Sequence, residues 1–281
     1  MTSLILVVFA VVYVGMILGR LPWLALDRTG IALLGAIVLV ASGALSLTEA
    51  WHAIDVPTVG LLFGLMVVSA QFRLGGFYAA VTRRLSAAAL SPGLLLAAVI
   101  LMVGALAALF TNDIVCLAVA PFLAEGCTRR GLDPRPYLLA LACSANVGSA
   151  ATLIGNPQNI LIGQALGLSF GGYLAQAVVP TLLGFAVVWG VIRVAYRGRW
   201  RLSTEASTVA PPPFSLWQTA KGLAVLLVLV AGFVGTSWPR ELLALGAAGA
   251  LLLSRRMHSR SMLGLVDWQL LVLFAGLFIV N

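Results

Sequence analysis

Residues 106–121, LAALFTNDIVCLAVAP, set three polar residues, Thr111, Asn112 and Asp113, inside an apolar run that extends over 93–124. As one straight helix that run would be about 48 Å long, against a bilayer hydrocarbon core near 30 Å. It must break, fold back or tilt strongly, and the polar residues mark where. A second over-long run, 134–168, would reach about 52 Å and is interrupted by SANVGSAATLIGNPQN at 144–159. Unwound backbone at membrane depth is tolerated only where protein or a water-filled cavity surrounds it. Both interruptions are therefore candidate site-forming elements.

Composition makes the bilayer reading compulsory. Of 281 residues, 61% are apolar and 9% charged, with a mean hydropathy of +1.07. An ordinary soluble domain has roughly 45–50% and 25%. The fold class is all-α and polytopic, with further apolar runs at 2–19, 30–48, 56–72, 172–192, 219–237, 240–254 and 267–281. The first run lacks a basic leader and a small-residue cleavage site, so it is expected to be a retained span.

The net charge of +8 would suggest nucleic acid in a soluble protein, but the basic residues lie in short gaps between apolar runs and record orientation instead. Sixteen of the seventeen fall in the gaps 20–29, 73–91, 125–136, 193–221 and 255–266, and only Arg240 lies elsewhere. If every run crossed once, the arginine-rich gaps on either side of 93–124 would lie on opposite faces. A re-entrant hairpin over 93–124, with Thr111-Asn112-Asp113 at its tip, restores the alternation. The N-terminus is then outside and every basic gap is cytoplasmic.

Leu202 to Gln218, with Pro211-Pro212-Pro213, reads as a linker. The chain beyond this linker resembles its own beginning. At an offset of 212, DVPTVGLLFGLMVVS (55–69) lies over DWQLLVLFAGLFIVN (267–281), matching Asp55 with Asp267 and Gly64 with Gly276. One segment is entered from outside and the other from inside, so the copies would be inverted. The expected organisation is a first repeat over 1–199, with hairpin 93–124 and broken helix 134–168, a cytoplasmic linker over 200–218, and an incomplete second repeat over 219–281. Counterparts of 93–168 would fall beyond position 281, which favours a piece of a longer protein over a natural half.

Asp113 is the one acidic residue deep in an apolar run, a placement costing roughly 2.5–3.5 kcal/mol on insertion scales unless partners or water offset it. Thr111 and Asn112 add a hydroxyl and an amide where two half-helices meet. Exposed N–H groups there favour an anion, while carbonyls, amide oxygens and Asp113 favour a cation or proton. In the second break, Gly155 is expected to take an unusual backbone angle and Pro157 to free carbonyls one turn earlier. Ser149, Thr152, Asn156 and Asn159 then offer polar groups to the cavity, and Asn146 is a further candidate site residue in this stretch. Gly35, Gly43, Gly104, Gly184 and Gly190 are expected at close helix contacts. His52 and His258 have no partner at a triad or H-E-x-x-H spacing, and Cys116, Cys127 and Cys143 have no zinc spacing. No enzymatic activity, bound metal or cofactor is expected.

Phe110-Thr111-Asn112-Asp113 with Pro121, together with Ser144-Ala145-Asn146-Val147-Gly148-Ser149 and Gly155-Asn156-Pro157-Gln158-Asn159, resemble the ion transporter superfamily. That group includes arsenite efflux permeases, divalent-anion symporters and some sodium/proton antiporters. The resemblance covers about 30–195 well and 219–281 weakly. It implies a secondary transporter of two inverted repeats, each with a re-entrant hairpin and a discontinuous helix, working by an elevator-like movement. By similarity, Thr111 and Asn112 match a hairpin-tip motif that touches ion and substrate, and Gly155 to Asn159 match the broken helix beside it. Asp113 departs from the Ser-Asn-Thr tip of the dicarboxylate branch and looks more like the arsenite-permease side. The expected function is a permease of the bacterial inner membrane that moves a small inorganic or organic anion with H+ or Na+. The alternatives are a sodium/proton antiporter or a passive anion channel. Expected partners are the lipid bilayer and the anion, with a homodimer as one option and no nucleic acid.

Overall fold

A computed structural model describes residues 2–19, 25–201, 210, 213–254 and 256–281. Its helices, in chain order, are α1 (Thr2–Leu18), α2 (Arg28–Ala41), α3 (Leu47–Ala53), α4 (Val56–Leu74), α5 (Phe77–Ala87), α6 (Pro92–Leu109) and α7 (Asn112–Arg129). They continue with α8 (Pro134–Ser149), α9 (Pro157–Ala165), α10 (Phe170–Ala195), α11 (Leu216–Gly235), α12 (Arg240–Leu252), α13 (Ser259–Leu263) and α14 (Trp268–Val280). Among the described residues, α4, α6, α10 and α11 are long and apolar enough to cross a membrane, and α1, α2 and α14 are shorter apolar helices. The chain is an all-helical, polytopic membrane protein. Most of the 202–218 linker, with Arg20, Trp23 and Arg255, lies outside the described residues.

The chain divides into two compact units. The first comprises Met1–Phe63 and Val266–Asn281, with a core of Val8, Val12, Ile31, Ala36, Leu39 and Val280. Its helices α2, α4 and α14 start on aspartate caps that satisfy otherwise unpaired N–H groups. Asp27 accepts from Gly30 N–H at 2.8 Å, Asp55 from Thr58 N–H at 3.0 Å and Asp267 from Leu270 N–H at 2.9 Å. The 30–48 run does not form one span: α2 stops at Ala41, and Gly43, at φ +71°, turns the chain into α3. Gly276 packs against backbone, since a Cβ there would lie 2.9 Å from the Ala32 carbonyl carbon.

The second unit, Gly64–Leu265, carries both sequence interruptions. The 73–91 gap is not loop alone. It contains α5, which buries Tyr78, Ala79, Thr82 and Ser86 at helical spacing while Arg83 and Arg84 lie between them. α6 and α7 run antiparallel: Arg130, just past α7, donates to the Leu90 carbonyl at 2.6 Å, just before α6, and to the Ser86 carbonyl at 3.1 Å, at the end of α5. Each arm has 18 residues, about 27 Å of helix. α8 starts at the same end, where Tyr137 Oη donates to the Pro92 carbonyl at 3.2 Å, and climbs alongside both arms.

The approach of α6 and α8 is backbone on backbone: a Cβ at Gly148 would lie 2.4 Å from Gly104 Cα. Gly104 also receives the Phe185 ring of α10, and Gly184 receives Val147. Gly190 has open space around it and Gly43 serves its turn, so the expectation of close helix contacts fails at those two. Gly64 packs on α12, where a Cβ would lie 2.7 Å from the Ala244 carbonyl carbon. Arg240, the one basic residue outside the arginine-rich gaps, donates to the Leu168 carbonyl beyond α9. Its neighbour Glu241 accepts from Gln164 at 3.2 Å, so this charge is spent on tying a helix end.

Candidate functional site

The two interruptions meet. α6 ends at Leu109, Phe110 and Thr111 are extended, and α7 begins at Asn112. α8 ends at Ser149, and after a break over 150–156 α9 begins at Pro157. Asn112 donates its backbone N–H to the Gly155 carbonyl at 3.1 Å, joining the hairpin tip to the second break. Thr152 Oγ1 donates to the Ala108 carbonyl at 2.6 Å, closing the same seam one turn down. Gly155 is required by this proximity: a Cβ would lie 2.3 Å from the Ser149 oxygen and 2.8 Å from the Ala107 oxygen. Its φ is not positive, so the expected unusual angle is replaced by a requirement for space.

Most of the polar side chains in the second break brace it from within. Ser149 Oγ donates to the Asn146 carbonyl at 2.9 Å and accepts from Asn156 Nδ2 at 3.1 Å. Asn159 Nδ2 donates to the Thr152 and Ser149 carbonyls, at 2.9 and 3.3 Å, while its backbone N–H is capped by Asn156 Oδ1 at 2.7 Å. Pro157 occupies the first turn of α9, where its missing N–H costs no helical bond, so it starts that helix and does not free a carbonyl by interrupting one. The sequence places these residues in one locus. It does not reveal that their hydrogen-bonding capacity is largely spent on the broken backbone.

Two oxygens at the tip keep hydrogen-bonding capacity. Asn112 Nδ2 donates to Asn146 Oδ1 at 3.2 Å, and Asn146 Nδ2 donates to the Ala142 carbonyl at 2.9 Å. Asn112 Oδ1 and Thr111 Oγ1 are buried without a hydrogen-bond partner among the described residues. Thr111 is the N-cap of α7, yet its hydroxyl makes no capping bond. Asp113 is exposed in the first turn of that helix, where the positive end of the macrodipole favours a carboxylate. The α9 N-terminus supplies a second positive end at the same junction. The arrangement combines oxygen donors for a cation or proton with helix starts for an anion.

One buried acid is not singled out by the sequence. Glu125, placed in a gap by its neighbours, is 3% exposed and ion-pairs with Arg83 at 2.8 Å and Arg129 at 2.7 Å. A signal for it exists: Glu125 and Arg129 stand one helical turn apart, and Arg83 lies on the amphipathic α5.

A citrate transporter family profile (CitMHS) matches residues 4–281. Among curated proteins, the silicon efflux transporter LSI3 of Oryza sativa subsp. japonica is 36% identical over 181 residues, covering 64% of this chain and 37% of its own. The putative transporter arsB of Dictyostelium discoideum is 30% identical over 57% of this chain and 29% of its own. An uncharacterized transporter of Mycobacterium tuberculosis is 30% identical over 90% of this chain and 62% of its own. The chain spans less than two thirds of the length of each. With nearly every residue inside the family profile, the chain belongs to the citrate transporter family, within the wider ion transporter superfamily.

Proposed function

We propose that the protein is a secondary active permease that moves a small anion or oxyanion together with H+ or Na+, at a site formed by Thr111, Asn112, Asp113 and Asn146. The residues Ser149, Thr152, Gly155, Asn156, Pro157 and Asn159 hold that site open. The observation carrying this reading is the Asn112–Gly155 bond, which brings two chain breaks together beside buried oxygens that lack partners among the described residues. Family membership and the names of the relatives support a transporter. Asp113 is the group proposed to carry the coupling proton.

The inverted-repeat organisation belongs to the same proposal. α2, α3 and α4 begin at 28, 47 and 56, and α12, α13 and α14 at 240, 259 and 268, a constant spacing of 212 without gaps. Both matched aspartates cap their helices through the N–H three residues on. The matched glycines exchange partners: Gly64 packs on Ala244, and Gly276 packs on Ala32, the position 212 residues before Ala244. Hairpin re-entrance and a cytoplasmic face for the arginine-rich gaps rest on the distribution of charge.

The test is counterflow and gradient-driven uptake of citrate, arsenite and silicic acid into liposomes holding the purified protein. A carrier shows saturable uptake that follows an imposed pH or sodium gradient, and Asp113→Asn removes the pH-driven part. Conduction without a gradient would establish a channel instead. Unchanged pH-driven uptake in Asp113→Asn would remove that residue as the coupling group.

A further inference from the structure

Away from the hairpin tip, the start of α6 and the end of α10 enclose a cavity of about 480 Å³ lined by Ser91, Gly93, Leu94, Arg193, Arg197 and Trp200. Its size falls within the usual range for small-ligand pockets. Arg193 lies in the last turn of α10 and Arg197 two residues beyond its end, and both line the cavity, so two positive charges face one space. Among the described residues neither has a carboxylate partner. Arg193 is held in place by its surroundings: its guanidinium lies 4.7 Å from the centre of the Trp189 ring and against Gly93. Trp189 Nε1 in turn donates to the Gly93 carbonyl at 3.0 Å. Trp189, deep inside an apolar run by sequence, is thus level with the first turn of α6.

The chemistry of the surroundings identifies the source of the anion. Val187, Val191 and Val194 form an exposed apolar strip along α10, at 63%, 61% and 75% exposure, leading from the arginines toward the middle of the helix. Leu94, 60% exposed, stands opposite on α6. A cationic head space opening onto a lipid-facing apolar track matches a molecule with a phosphate at one end and hydrocarbon at the other. We propose that this cavity is a headgroup site for an anionic phospholipid. Arg193 and Arg197 bind the phosphodiester, Trp200 closes the polar side, and an acyl chain runs along Val194, Val191 and Val187. The bound lipid fixes the end of α10 against the hairpin arm α6 at the arginine-rich end of the unit.

The experiment is native mass spectrometry of the detergent-purified protein titrated with phosphatidylglycerol or phosphatidylcholine, repeated with inorganic phosphate as competitor. The variants are Arg193→Gln/Arg197→Gln, Arg197→Gln alone and, as a charge-matched control that does not line the cavity, Arg260→Gln. Wild type and Arg260→Gln should retain phosphatidylglycerol in preference to phosphatidylcholine, and inorganic phosphate should not displace it. Arg197→Gln, whose native side chain makes no hydrogen bond or ion pair among the described residues, should weaken retention several-fold without changing the fold. The double variant should weaken it roughly tenfold or more. Equal loss in Arg260→Gln would show diffuse surface attraction and overturn the proposal. So would wild-type retention in the double variant, or complete displacement by inorganic phosphate, which would mark a free-anion site.

Discussion

The backbone N–H of Asn112 bonds to the Gly155 carbonyl at 3.1 Å, so the first residue of one helix is held by the gap in another. The second break braces much of its own backbone, and this bond and the Thr152–Ala108 bond tie it to the hairpin tip. The consequence is coupling at this seam: loosening it leaves the Asn112 N–H and the Gly155 carbonyl without each other.

Gly155 is where that coupling is tightest. Gly155→Ala should destabilise the protein by about 1–3 kcal/mol, because its Cβ would drive into the Ser149 carbonyl. Gly171→Ala, with open space around it, should stay within about 0.5 kcal/mol of wild type. Thermal unfolding in detergent measures both.

The paired glycines predict matched sensitivity. Gly64→Val and Gly276→Val should each cost about 1–3 kcal/mol, since each Cβ would press on the backbone of an equivalent alanine, Ala244 or Ala32. Tolerance at one position with unfolding at the other, seen as widely separated melting temperatures, would contradict the equivalence of the two packings.

Glu125→Gln leaves Arg83 and Arg129 without their carboxylate. Full burial of such a pair would make its rupture worth about 3–5 kcal/mol. Both arginines reach solvent, with side chains 34% and 57% exposed, so a loss of about 1–3 kcal/mol is expected in chemical denaturation.

The α3 capping box carries a pH signature. The Ser46 hydroxyl and backbone N–H hold the Glu49 carboxyl below the ordinary glutamate range. The cap therefore contributes above the unfolded glutamate value and is lost as pH falls through the lowered folded one. Carbon-detected NMR titration should place the Glu49 midpoint below that of an unrestrained glutamate, and Ser46→Ala should return it upward.

Much of this architecture is legible in the sequence because the bilayer imposes a length. Two runs too long for one crossing have to break, and Thr111-Asn112-Asp113 and Asn146 to Asn159 stand at or beside the places where they do. Charge asymmetry leads to the expectation of a re-entrant hairpin, and the structure shows α6 and α7 as antiparallel neighbours with Leu90 beside Arg130. Composition does not carry pairing in space. Gly148 is one small residue among many until it meets Gly104, and Glu125 is a gap residue until α5 brings Arg83 against it. Pro157 has the appearance of a breaker because proline inside an apolar run usually is one. Only the preceding break shows that it stands first in its helix.

The claim that the two breaks form one working site is tested most directly at Asn112 and Asn146, whose side chains bond at 3.2 Å. The measurement is gradient-driven uptake by Asn112→Ala, Asn146→Ala and the double variant, with the anion that the reconstituted wild type takes up. If the pair acts as a unit, each single variant loses roughly tenfold or more in uptake, melting stays near wild type, and the double variant is no worse than the more damaged single. Uptake that survives both substitutions, or losses that multiply as for independent residues, would contradict it.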